Sequence, residues 1–144
     1  MKITIGLFAI AALVVLADTK PRPRNLVQFA LMVNKATGRS ALDFNDYGCY
    51  CGLGGKGKPV DDLDKCCKVH DFCYEMVSHE GCWNAKVGTY DYRTNGTDIT
   101  CDYYTNDNCD YMTCECDRVA ALCFASNTYN DSHKAINRDG FCSG

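Results

Sequence analysis

Residues 59–74 read PVDDLDKCCKVHDFCY and residues 114–124 read CECDRVAALCF. In the first stretch Cys66 and Cys73 stand seven apart, and in the second so do Cys116 and Cys123. Seven residues is about two helical turns, so each stretch, if helical, presents two cysteines on one face. The acidic start at Asp61, Asp62 and Asp64 suits a helix N-terminus, and the absence of Gly and Pro predicts a helix over 61–78. The same uninterrupted character predicts a second helix over 111–125. Antiparallel packing would pair Cys66 with Cys123 and Cys73 with Cys116, and spacing alone allows a parallel arrangement equally well. In the antiparallel case His70, three residues before Cys73, and Asp117, next to Cys116, fall within one turn of the same crosslink. Tyr74 then lies one turn along from His70 on its face.

Outward from these helices the chain breaks up. Residues 47–59 (YGCYCGLGGKGKP) hold five glycines in thirteen positions, too many for a regular helix or strand. Such a loop can turn sharply and bring its backbone close to a ligand. Residues 90–101 (YDYRTNGTDITC) alternate, break at Asn95-Gly96 and resume, which predicts a β-hairpin. Upstream, Leu26, Phe29, Ala30 and Val33 fall at helical spacing and form the expected core stripe of a helix capped by Asn25 and stopped near Gly38. The fold class is therefore mainly α and disulfide-rich, with two long cross-linked helices, an N-terminal helix, a glycine loop and a small hairpin.

Twelve cysteines, none in a C-x-x-C pair and with no paired histidines nearby, point to six disulfides in an oxidising compartment and not to zinc. Lys2 followed by the apolar run from Ile3 to Leu16, ending in Ala17, reads as a signal peptide over residues 1–17, too short for a comfortable membrane span. Residues 18–24 (DTKPRPR) read as a propeptide, leaving a single domain over 25–144. Removing Lys2, Asp18, Lys20, Arg22 and Arg24 takes the net charge from -3 to -6. That acidity excludes nucleic acid as an expected partner, because neutralising phosphates takes clustered cations. Asn95-Gly96-Thr97 and Asn130-Asp131-Ser132 match the glycosylation pattern.

The chemistry gathers around His70. An imidazole, ordinarily titrating near neutrality, can take a proton from water while a carboxylate on its other nitrogen fixes the tautomer. No serine nucleophile stands in the same region, so water is the expected attacking group. Asp71 supplies a hard carboxylate ligand, and the glycine loop can turn several carbonyls toward one centre, a donor set that suits calcium. A calcium beside an ester would polarise its carbonyl, and a loop N–H could complete the oxyanion site. His79 and His133 have no carboxylate in register beside them and are expected at the surface.

The stretches YGCYCGLGG (47–55), PVDDLDKCCKVHDFCY (59–74) and CECDRVAALCF (114–124), with NLVQF at 25–29, resemble in order the calcium loop, active-site helix, second helix and mature N-terminus of secreted phospholipases A2, closest to the pancreatic and elapid-venom type. The resemblance implies calcium-dependent hydrolysis of the sn-2 ester of glycerophospholipids by a secreted enzyme. It implies calcium held by the backbone carbonyls of Tyr50, Gly52 and Gly54 and by Asp71, with the Gly52 N–H at the oxyanion. His70 would be the base, Asp117 its orienting partner, and Tyr74 and Tyr90 the donors to Asp117. It also implies antiparallel helices and the bridges Cys49–Cys142, Cys51–Cys67, Cys66–Cys123, Cys73–Cys116, Cys82–Cys109 and Cys101–Cys114. A seventh bridge usual in this type is missing, with Lys35 and Thr94 at its two ends, so a looser hold of the first helix on the hairpin is expected. The partner implied is a membrane or micelle surface, met through Leu26, Val27, Leu42 and Leu53, with modest affinity because Val27 stands where an aromatic often does. Trp83 either anchors at that surface or packs on its disulfide. The rival is a non-catalytic binding protein, receptor ligand or toxin on the same scaffold, whose signature would be loss of His70, Asp71 or the loop. This chain shows none of these losses.

Overall fold

A computed structural model describes residues 24–143. The expected leader (1–17) and propeptide (18–24) lie outside the described residues except for Arg24, the first residue of helix α1. The elements run α1 (Arg24–Thr37), α2 (Ala41–Phe44), α3 (Asp62–His79), β1 (Tyr92–Asn95), β2 (Asp98–Cys101), α4 (Asn108–Ala125), a 3-10 turn (Asp131–His133) and α5 (Arg138–Phe141). No helix among the described residues is long and apolar enough to cross a membrane.

The two long helices start on acidic caps. The Asp61 carboxylate accepts from the Asp64 N–H at 2.8 Å, and Asp107 accepts from the Asp110 N–H at 2.8 Å. That second cap starts α4 three residues before the expected Tyr111, because Asp107 satisfies an N–H that the reading of uninterrupted residues could not assign. The helices lie side by side, joined by Cys66–Cys123 and Cys73–Cys116, so the arrangement is the antiparallel one. All six implied bridges are present, and among the described residues no cysteine is free.

Helix α1 packs chiefly on α4 and closes the core. Its buried apolar residues are Met32 and Val33, packed with Phe44, Tyr47, Leu63, Ile99, Ala121 and Phe124, and the rings of Phe44 and Phe124 stack at 4.6 Å. The expected stripe needs correction: Leu26 is exposed, Phe29 and Ala30 are half-buried, and Asn25 sits inside the helix rather than capping it. Asn25 is buried instead as a donor to the Ala85 carbonyl and to the Tyr74 hydroxyl. The hairpin is antiparallel, with Asn95 opposite Asp98, so its two-residue turn is Gly96-Thr97 and Asn95 still belongs to β1. Gly96 has φ +60° at the first turn position, as a type II′ turn requires.

Two polar clusters fasten the glycine loop to α3. Asp64, with no exposed surface, accepts from the N–H groups of Cys49 and Tyr50 at 2.8 Å and of Val60 at 2.9 Å. Gly48 is needed beside it, because a Cβ there would meet the Asp64 carboxyl carbon at 2.3 Å on a backbone already at φ +58°. The second cluster corrects the expectation for His133. Its Nδ1 lies 2.7 Å from Asp61, which also accepts from the Tyr47 hydroxyl at 2.6 Å. His79 likewise has a carboxylate, Glu75, at 3.9 Å one turn back.

Substituting Asp64→Asn would place an NH2 group among three backbone donors, and should cost about 2–4 kcal/mol in guanidinium unfolding of the oxidised protein. For Asp61, burial alone would raise the pKa, but the bonds from Tyr47, the Asp64 N–H and His133 outweigh it and hold the carboxyl below its ordinary 3.8. Its contribution is therefore complete above 3.8 and is lost as pH falls through the lower folded value. The unfolding midpoints of wild type and Asp61→Asn should differ at neutral pH and converge as pH falls through that lower folded value.

Candidate active site

His70 projects from α3 toward α4, where its Nε2 lies 2.7 Å from Asp117 Oδ1. The ring is held on two sides: Phe29 of α1 stacks on it at 4.4 Å and Tyr74 meets it edge-on at 4.9 Å. Asp117 has no exposed surface. It accepts from the Tyr90 hydroxyl at 2.5 Å and the Tyr74 hydroxyl at 2.9 Å as well as facing the imidazole. Burial first, and then the Asp117 charge, push both tyrosine hydroxyls well above their ordinary pKa, so both stay donors through the physiological range. A carboxylate surrounded by donors has no proton to give, so the His70 proton resides on Nε2 and the Nδ1 lone pair faces outward.

Asp71 follows His70 on the same helix, with its side chain exposed. Among the described residues its carboxylate has no hydrogen-bonding or ion-pair partner. Desolvation raises its pKa, against the opposing charges of His70, Lys86 and Arg138. The loop opposite has φ +109° at Gly52 and +72° at Gly54, left-handed conformations that only glycine adopts at little cost. Its carbonyls fare differently. Those of Gly48, Cys51 and Leu53 accept from Arg138 and that of Cys49 from the Lys56 N–H, whereas those of Tyr50, Gly52 and Gly54, like those of Gly55, Lys56 and Lys58, accept from no donor among the described residues.

An exposed carboxylate and unbonded backbone carbonyls are all-oxygen donors of the kind a hard cation such as calcium takes, so Asp71 and the carbonyls of Tyr50, Gly52 and Gly54 fit such an ion in their chemistry. Among the described residues no three His, Cys, Asp or Glu side chains converge, so the carbonyls are the larger part of that set. A surface hollow of about 560 Å3 is a different place: Lys58, Lys65, Lys68, Val69 and Phe72 line it, and His70 and Asp117 do not.

The structure thus brings His70, Asp117, Tyr74 and Tyr90 into direct contact, with Asp71 the neighbour of His70 in sequence and Tyr50, Gly52 and Gly54 in the loop. Two residues of this neighbourhood escaped the sequence reading: Asp64 and Arg138. The acidic opening of α3 hinted at the first but could not say which carboxylate turns inward, and Phe29, expected on the stripe of the first helix, stacks on the imidazole.

A family model of phospholipase A2 matches residues 26–134. An acidic phospholipase A2 of Micrurus dumerilii is 51% identical over 114 residues, covering 78% of this chain and 96% of its own length. Acidic phospholipase A2 PLA-1 of Eristicophis macmahoni is 54% identical over 114 residues, covering 76% and 89%. Basic phospholipase A2 1 of Naja sagittifera is 44% identical over 126 residues, covering 87% and 99%. With its cross-linked helices, glycine loop and His–Asp pair, the chain belongs to the phospholipase A2 family. It is a phospholipase, a carboxylic ester hydrolase.

Tyr90→Phe leaves one lone pair of buried Asp117 without its donor, and should lower stability by about 1–3 kcal/mol in guanidinium unfolding, with a smaller loss for the less buried Tyr74→Phe.

Proposed function

We propose that this phospholipase cleaves the sn-2 acyl ester of glycerophospholipids in a calcium-dependent reaction, releasing a fatty acid and a lysophospholipid. The observation that carries the reading is the placement of His70: its Nε2 is committed to buried Asp117, so its Nδ1 is the one basic nitrogen that can face a water. The carbonyls of Tyr50, Gly52 and Gly54 and the carboxylate of Asp71 would hold the calcium ion. Bound there, calcium supplies a Lewis acid beside the ester carbonyl and a counter-charge for the oxyanion.

His70 takes a proton from the attacking water and becomes an imidazolium. Asp117 stabilises that charge without accepting the proton, since Tyr74 and Tyr90 hold its oxygens as acceptors. The Gly52 N–H donates to the developing oxyanion. His70 then returns the proton to the departing glycerol oxygen. Phe29, stacked on the imidazole, shields one face from bulk water and lines the path of the acyl chain.

Several large apolar side chains support a peripheral role at a lipid surface. Leu26, Val27, Leu42 and Leu53 are all exposed, Leu53 at 95%. Trp83 is 88% exposed and does not pack on its neighbouring disulfide, which favours an interfacial role. Six disulfides fit a secreted enzyme, with the mature chain beginning at Asn25 after loss of residues 1–24.

Fatty-acid release from phosphatidylcholine micelles should require calcium and stop with chelator. His70→Gln should lower kcat by about 10^3-fold or more, while leaving calcium binding in place. Chelator-resistant hydrolysis by the wild type, or substantial turnover by His70→Gln, would rule the mechanism out.

A further inference from the structure

Arg138 belongs to the short helix α5, remote in sequence from the glycine loop, yet its guanidinium is spent almost entirely on that loop. Nε donates to the Gly48 carbonyl at 3.0 Å, Nη1 to that of Leu53 at 2.7 Å and Nη2 to that of Cys51 at 2.6 Å. The side chain is only 18% exposed, and Asp46 lies 3.8 Å from Nε. Three carbonyls on three different nitrogens of one rigid planar group fix the loop in shape as well as in position.

The segment carrying Arg138 is itself anchored to the loop it grips. Cys142 is bonded to Cys49, and Lys56 pairs with Asp139 at 2.8 Å. Gly57 sits so close that a Cβ there would meet the Cys142 carbonyl oxygen at 2.0 Å. The contacts also follow a pattern along the chain. Cys51 and Leu53 turn their carbonyls to Arg138, and those of the interleaved Tyr50, Gly52 and Gly54 are left without a donor among the described residues. Cys51 and Leu53 flank Gly52, so fixing their two peptide planes restricts the plane between them, on a backbone that is left-handed at Gly52 (φ +109°) and Gly54 (φ +72°).

We propose that Arg138 is a positioning residue for the cation: by binding the outward carbonyls of Gly48, Cys51 and Leu53 it holds those of Tyr50, Gly52 and Gly54 aimed at the ion before the ion arrives, and so sets calcium affinity. The proposal rests on the calcium-dependent reading above. It also makes a counter-intuitive claim about charge. A guanidinium beside a cation site repels the cation, so on charge alone its removal would tighten binding. Preorganisation works the other way, because a loop released from Arg138 must be ordered by the ion itself, and that ordering is subtracted from affinity.

The test is calorimetric titration of the disulfide-bonded protein with calcium chloride, comparing wild type, Arg138→Gln and Arg138→Lys, together with amide hydrogen exchange of residues 50–55 in calcium-free buffer. The expected result is a calcium Kd raised about tenfold or more in Arg138→Gln despite its lost positive charge, and raised less in Arg138→Lys, which keeps the charge and one of the contacts. Loop amides should exchange faster in the same order. An unchanged or tighter Kd in Arg138→Gln overturns the proposal, as does a weaker Kd with unchanged loop exchange. If both variants fail to fold by circular dichroism, Arg138 is a residue of the fold and the proposal falls. Absence of calcium binding by the wild type defeats the calcium-dependent reading itself, and with it this inference, whereas wild-type binding with unaltered variants defeats the inference alone.

Discussion

A carboxylate removed from water costs several kcal/mol unless nearly every lone pair finds a donor, and this structure organises much of itself to meet that condition at Asp117. The donors come from two separate places: His70 and Tyr74 on α3, and Tyr90 on the segment before β1. Each must arrive within bonding distance, so the helix pair and the hairpin cannot shift independently. What satisfies the carboxylate also orients the imidazole. Stability and chemistry therefore share one network, and loss of a donor harms both.

The disulfides make that network affordable in a chain of 144 residues. Cys73–Cys116 is next to Asp117 in sequence and three residues from His70, so the crosslink restrains the pair even when the rest of the domain breathes. Cys49–Cys142 closes 93 residues of sequence and brings the C-terminal segment against the glycine loop. Asp64 performs the complementary task from inside by binding the N–H groups of Cys49, Tyr50 and Val60. Donors on one side of the loop are satisfied by Asp64 and carbonyls on another by Arg138, and the carbonyls of Tyr50, Gly52 and Gly54 are among those left without a donor.

Much of this was legible in the residues. The seven-residue cysteine spacing announced two helices with matched faces, and the glycine density marked a loop with unusual backbone freedom. The His–Asp pair and its antiparallel register followed once the family resemblance removed the parallel alternative. What escaped notice was long-range and polar. Asp61 and His133 are 72 residues apart, and nothing local to either announces the other. Asp64 looked like one more acidic residue of a first helical turn, although it is the one that turns inward. Arg138 lies in a polar stretch where no spacing ties it to the loop. Hydrophobic spacing misled at α1, where Leu26 sits on the apolar stripe by periodicity yet faces solvent, as a residue reserved for a surface encounter would. The turn register slipped by one because both Asn95 and Gly96 tolerate positive φ, and only pairing across the strands selects Gly96.

The central claim is that Asp117 dictates which nitrogen of His70 carries the proton. Nitrogen-15 NMR of the imidazole reads this directly in the unprotonated ring of the folded protein. The account requires the Nε2–H tautomer, with an exchange-protected Nε2 proton shifted far downfield by its bond to the carboxylate, and reversal of the tautomer balance when Asp117 is replaced by Ala. A ring found with its proton on Nδ1, or a tautomer ratio indifferent to Asp117, would contradict it.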